Sequence, residues 1–330
     1  MRLALVTGAT GFIGRHLVPL LLERGDVVRV VVRNPAKFSA LFPDSRNIET
    51  VPGDLADPAC AARAVDGATH VYHLAGVTKA LQRAAYYQGN VATTRTIVAA
   101  VRASVRAPER FLHVSSLAAV GPSATPEPPP DYDSPAPLTH YGRSKLEGET
   151  AVRPLAAVCP VTVFRPPVVF GPGDTDVLHF FRAVARGWLP IVGHDRKRVS
   201  VVYAPDLAAA MAAAAGSDAA VGKTYYPCYT EIYRWSDLGR IAAGALGRTC
   251  RQVTIPISAV WLVALATQLT GCVAREPTIL NLEKVREMRA TYWVCSPAEA
   301  ARDFGFQPRW TIDEAIRQTI DWYKEHGQLA

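Results

Sequence analysis

The chain has 330 residues, a formal net charge of +7 and a pI near 9.2, with 49% hydrophobic and 20% charged residues. A chain of this length and composition can bury a core without metal or disulfide staples, and it is too apolar to be disordered. Lysines and arginines are scattered, the one tight group being Arg196-Lys197-Arg198; without a basic stripe carrying interleaved aromatics, no nucleic-acid partner is expected.

In chain order, Arg2 to Val6 reads as a short buried strand, and Gly11 onward as a helix running to Arg24. Strands are predicted at Val27 to Val32, Ile48 to Val51, Val71 to Leu74, Phe111 to Val114 and Val161 to Phe164. Helical stretches lie between them at Pro58 to Val65, Ala92 to Val105 and Tyr141 to Val152. Continuous Val/Leu/Ile strands alternating with helices predict an α/β fold, a parallel doubly wound sheet covered on both faces. The Pro-, Asp- and Ser-rich stretch Pro122 to Leu138 predicts a long loop over the carboxyl ends of the strands. Beyond about Phe170 the pattern becomes irregular and aromatic (Trp188, Tyr225, Tyr226, Tyr229, Tyr233, Trp235), which reads as a smaller substrate-side region. Residues 1–170 are therefore expected to form the dinucleotide-binding core and 171–330 mainly the substrate region, with some segments returning to the core. Asp313 to Lys324 reads as a closing amphipathic helix with Ile316, Ile320 and Tyr323 on one face.

The six cysteines, Cys60, Cys159, Cys228, Cys250, Cys272 and Cys295, form no CxxC pair. No metal site is expected, and the spacing fits a reducing compartment. A strand starting almost at Met1 leaves no room for a signal peptide, so a cytoplasmic location is expected. The longest apolar run, Ile255 to Leu269, is broken by Pro256, Ser258 and Gln268. It is shorter than the roughly 18–20 residues of a spanning helix, which leaves contact with a membrane surface open.

Gly8, Gly11 and Gly14 recur as GxxGxxG directly after the first strand, in the run Thr7-Gly8-Ala9-Thr10-Gly11-Phe12-Ile13-Gly14. Glycines there allow a sharp turn and let a pyrophosphate approach main-chain N–H groups at the positive end of the helix. The residue ending the second strand meets the adenosine ribose, where an acid suits NAD and a cation the 2′-phosphate of NADP. That position holds Arg33, with Lys37 close behind and Arg15 in the glycine turn, so NADP is expected, with NAD the alternative. Asp54-Leu55 follows the third strand; Asp54 is placed to accept from the adenine amino group or, equally, to cap a helix.

Tyr141 and Lys145 stand four apart and share a helix face. An adjacent ammonium favours the phenolate, lowering the tyrosine pKa toward the working range, and a serine at a strand end can hold a substrate oxygen. Ser115-Ser116 supplies that hydroxyl; setting Phe111 to Val114 as the strand places Ser116 at the slot.

On these residues, together with His73-Leu74-Ala75-Gly76, Tyr86-Tyr87, Asn90-Val91 and Arg165 to Gly173, the chain resembles the extended short-chain dehydrogenase/reductase family over nearly its whole length. The resemblance implies a Rossmann domain with a small C-terminal substrate region and, as a partner, a second copy in a homodimer. It implies Tyr141 as acid/base, Lys145 as ribose contact and Ser116 on the substrate oxygen. Leu74, Ala75, Gly76, Asn90, Val114, Pro167 and Val168 would lie around the cofactor. An apolar Leu117-Ala118-Ala119 stands where dehydratases of this fold carry acids, arguing against water elimination. The layout of the C-terminal third, from Ile255-Pro256 through Pro277 to Pro308, looks closer to 3β-hydroxysteroid dehydrogenases and dihydroflavonol reductases than to nucleotide-sugar epimerases. The expectation is an alcohol/ketone oxidoreductase for a lipophilic, steroid-like or isoprenoid substrate; the alternative is a nucleotide-sugar epimerase holding NAD tightly. The apolar 255–269 helix is then a substrate wall, a core helix or a dimer helix.

Overall fold

The computed structural model of the chain describes residues 2–274 and 281–329; Pro277, which entered the layout above, and the Cys272 side chain lie outside the described residues. The first half runs β1 (Leu3–Thr7), α1 (Gly14–Glu23), β2 (Val27–Val32), α2 (Pro35–Leu41), β3 (Ile48–Pro52), α3 (Pro58–Val65), β4 (His70–His73), α4 (Arg83–Tyr87), α5 (Thr93–Ala103), β5 (Arg110–Val114), α6 (His140–Val152) and β6 (Val161–Phe164). The second half runs β7 (Val168–Phe170), α7 (Leu178–Ala185), β8 (Trp188–Val192), β9 (Arg198–Val199), β10 (Val201–Tyr203), α8 (Ala204–Ala214), β11 (Thr224–Tyr225), α9 (Trp235–Ala245) and β12 (Arg251–Ile255). It closes with α10 (Ile257–Ala274), α11 (Leu282–Arg289), β13 (Tyr292–Trp293), α12 (Ala298–Phe304) and α13 (Ile312–Glu325).

Seven parallel strands form the central sheet in the order β11-β6-β5-β4-β1-β2-β3. Side chains alternate along each strand, so the two faces bury different partners. Ala4 and Val6 of β1 join a cluster with α1 and α8, whereas Leu5 between them joins α3 and α5 on the other face. The strand order reverses between β1 and β4, and the crevice at that switch point is where open α/β sheets take ligands.

Three features depart from the sequence reading. The first helix begins at Gly14 rather than Gly11, because residues 8–11 close a tight turn through Gly11 N–H to the Gly8 carbonyl at 2.9 Å. The helix expected from Ala92 is preceded by a π-turn over Gln88–Ala92, which carries Asn90 inward; such turns are enriched at functional sites. The region beyond Phe170 is also more regular than its composition implied. Most of α8 is alanine and buried, packed on α1, a contact that small side chains permit and that carries no helical stripe to read. β8 with β12, β7 with β10 and β9 with β13 form small two-stranded sheets, while β11 returns to the main sheet.

Candidate active site

The glycine turn can be built in no other residue at two of its positions. Gly8 sits at φ +72°, and a Cβ there would stand 2.8 Å from the Ala75 nitrogen. A Cβ on Gly14 would meet the Ala9 Cα at 2.6 Å, so the helix could not pack so tightly on the strand. Gly11, Phe12 and Ile13 remain partly accessible, Thr10 is half-buried beside them, and no side chain caps the first N–H groups of α1. A bare, positive helix end facing a space that side chains cannot enter fits the pyrophosphate of a dinucleotide.

At the far side of the switch point, Arg33 is exposed just after β2 and Lys37 is exposed in the first turn of α2. Arg33 lies 3.6 Å from the Asp54 carboxylate, which also accepts from Ala56 N. The cap of α3 is Asp57, not Asp54, whereas Leu55 is buried in the core. The Arg15 side chain, next to the turn, lies against Gly173 and is half-buried there.

α6 brings Tyr141 and Lys145 to the carboxyl ends of β4 and β5. Thr139 caps this helix, accepting from Gly142 N–H at 3.1 Å. Gly142 lets α6 press on the turn at Leu117–Ala119, since a Cβ would collide with the Ala118 carbonyl. The Tyr141 phenol is consequently brought beside the Ser116 hydroxyl, which itself accepts from Ala118 N–H at 3.1 Å. Ser115 points into the interior, its hydroxyl without a protein partner. Lys145 is buried and donates to the Val114 carbonyl at 2.7 Å. Gly76 abuts it: a Cβ at Gly76 would lie 3.3 Å from the ammonium.

The electrostatics reverse one expectation. Burial pushes the Tyr141 phenol up to about 12, with the Ser116 hydroxyl working against it. Burial takes Lys145 down to about 8, opposed by the charge of Glu149. Burial thus sets the phenol's state, and Tyr141 stands neutral, a proton donor, while Lys145 spends one of its three donors on Val114.

The supporting shell is where the sequence reading missed most. Asn90 accepts from Val77 N–H at 2.7 Å and donates to the Val77 carbonyl and to Ser144. One amide thus ties the segment after β4, with Leu74 to Gly76, to the turn of α6 that carries Tyr141. Beneath it runs a polar chain. Thr94 donates to the Asn90 carbonyl, so it can only accept from His73 Nε2; His73 Nδ1 then accepts from Thr7, which in turn accepts from Ala75 N–H. His73 is held neutral, burial lowering it to about 3. Glu149 and Arg165 form a buried bidentate pair at 2.9 and 2.7 Å, and Arg165 also donates to Tyr226 at 2.6 Å. The signal for Glu149 was its place one turn beyond Lys145; the partner could not be read because the contact joins a helix to a later strand. Pro166 accepts from Leu117 N–H, and half-buried Pro167 and Val168 continue from it into β7. Glu283 and Glu287 of α11 accept from His140 N–H and the Thr139 hydroxyl at the start of α6.

The model of the NAD-dependent epimerase/dehydratase family matches residues 4–226, and the chain belongs to this family, the extended short-chain dehydrogenases/reductases, whose typical cofactor is a nicotinamide dinucleotide. It is 32% identical over 324 residues to a ceramide reductase of Caulobacter vibrioides, covering 98% of this chain and 95% of the relative. It is 27% identical to 3beta-hydroxysteroid-dehydrogenase/decarboxylase isoform 1 of Arabidopsis thaliana, over 97% of this chain and 79% of that one. Among solved structures, that of gox2253 superposes with a TM-score of 0.80 at 26% identity over the full length of both chains.

Proposed function

We propose that the protein is an NADP-preferring reductase that converts a ketone on a lipophilic molecule into a secondary alcohol. The observation that carries this reading is the contact of the Tyr141 phenol with Ser116, beside Lys145, at the switch point next to the glycine turn. The bound nicotinamide dinucleotide supplies the hydride. Ser116 and Tyr141 hold the carbonyl oxygen by hydrogen bonds, polarising its carbon, and Tyr141 gives its proton to the oxygen as negative charge develops there. Hydride to carbon and proton to oxygen balance the reduction. Lys145 is then the group that meets the nicotinamide ribose and stabilises the resulting phenolate.

Residues 1–170 would hold the dinucleotide and 171–330 mainly the substrate. A lipophilic substrate is supported by relatives whose names specify a ceramide and a hydroxysteroid. NADP is supported by two exposed cations, Arg33 just after β2 and Lys37 in the first turn of α2.

The test is Tyr141→Phe assayed on a panel of lipid ketones. NADPH binding should persist while turnover falls by about two to four orders of magnitude. Unchanged turnover would remove the proposed role, and NAD released from the purified protein on denaturation would favour epimerisation instead.

A further inference from the structure

We propose that α10 and the adjoining β8–β12 ribbon form a docking face for an anionic phospholipid bilayer. α10 holds 18 residues without one charged side chain, and a helix apolar all round is normally covered on every side. Here one side is covered: Val260 and Ala264 are buried against Val285, with Ile255 and Met288 beside them. The other is bare, with Trp261 46%, Leu262 62%, Val263 52% and Leu269 62% exposed. Exposed apolar side chains gathered on one surface mark a binding site, whereas scattered ones do not.

The adjoining ribbon also exposes apolar side chains. Trp188 and Val253 are exposed, and by alternation they share a face with Val192 and Ile255, which pack into the α10–α11 cluster. α10 is about 27 Å long at its rise per residue. Among the described residues no helix is long and apolar enough to cross a membrane, so lying on one is the geometry left to it.

Charge selects the occupant. Residues 177–194 and 238–274 contain no aspartate or glutamate. They carry Arg186, Arg248 and Arg251, all exposed and gathered where Gly187 O accepts from Arg251 N–H and Arg251 pairs in register with Trp188. The carboxylates of α11 are already engaged, Glu283 with Arg286 and Glu287 with Lys284. A second copy meeting this face would bring no carboxylate from these two segments to the arginines. An anionic lipid surface satisfies both the apolar strip and its cationic border. The inference goes beyond the reductase reading and does not depend on it; α11 nevertheless links this face to the site, since it holds the first turn of α6 through Glu283.

The test is flotation of the full chain with vesicles of phosphatidylcholine alone and with phosphatidylglycerol added. Binding to the anionic vesicles should exceed that to the neutral ones at least ten-fold and weaken in high salt. The pair Leu262→Asp and Val263→Asp should abolish it with NADPH binding retained, and Arg248→Ser with Arg251→Ser should lower it about five-fold per arginine. No flotation with either vesicle at low salt would overturn the proposal. So would a stable dimer that Leu262→Asp splits into monomers, because a second copy would then own the face. Turnover of a water-soluble ketone, abolished or not by Tyr141→Phe, reports on the reductase reading separately.

Discussion

Arg33 and Asp54 show how much a single exposed pair can decide. The two side chains are 3.6 Å apart, at 75% and 52% exposure, so the pair itself adds little to stability. Its consequence is for recognition: a guanidinium at the end of β2 can take a 2′-phosphate in a bidentate grip, whereas a carboxylate there would repel it. Arg33→Asp should therefore cut the NADPH-over-NADH preference by about ten-fold or more at low salt. Parallel fluorescence titrations check it, and an unchanged ratio would move the phosphate contact away from Arg33. Tyr141 makes a related point about proximity in sequence. Four residues of helix bring Lys145 to the same face, but the ammonium's hydrogen bond goes to Val114, and burial sets the phenol's charge state.

At the level of elements, α6 is the piece everything else positions. Its N-terminus is held by Thr139 and by Glu283, its first turn by Asn90, and its last turns by the buried pair of Glu149 with Arg165 on the strand end of β6. Removing one partner of such a pair leaves an uncompensated buried charge. Arg165→Met should accordingly cost about 3–5 kcal/mol, and adding Glu149→Gln should recover a good part of it. Urea midpoints of the two variants measure this; equal midpoints would mean that water reaches the carboxylate. Helix α6 itself was legible from Tyr141 to Val152, as was the serine at the end of β5. What clamps it was not, since Asn90, Arg165 and Glu283 come from segments far apart in the chain.

For the molecule as a whole, two buried carboxyls of the second half make stability respond to pH. Burial raises both Asp174 and Asp206 from 3.8 to about 6, against the hydrogen bonds they accept from Asp176 and Val177 N–H and from Arg309 N–H respectively. Between about pH 4 and 6 the folded chain then holds protons that the unfolded chain has released, so these groups make stability fall as pH rises through that window. Asp206→Asn should flatten the fall by about 1–3 kcal/mol, read from denaturant midpoints at a series of pH values. A slope identical to that of the parent would place the titration elsewhere. By itself the sequence determined the alternation of strands and helices, the glycine turn, and Tyr141 four residues before Lys145, because each of these is a local rule of spacing or backbone conformation. Only the tertiary structure decided that Tyr141 rests as a neutral phenol, that alanine-rich α8 is core and that α10 is bare on one side. Each of those depends on which distant segments exclude water from a group, and burial is a property of the packed chain.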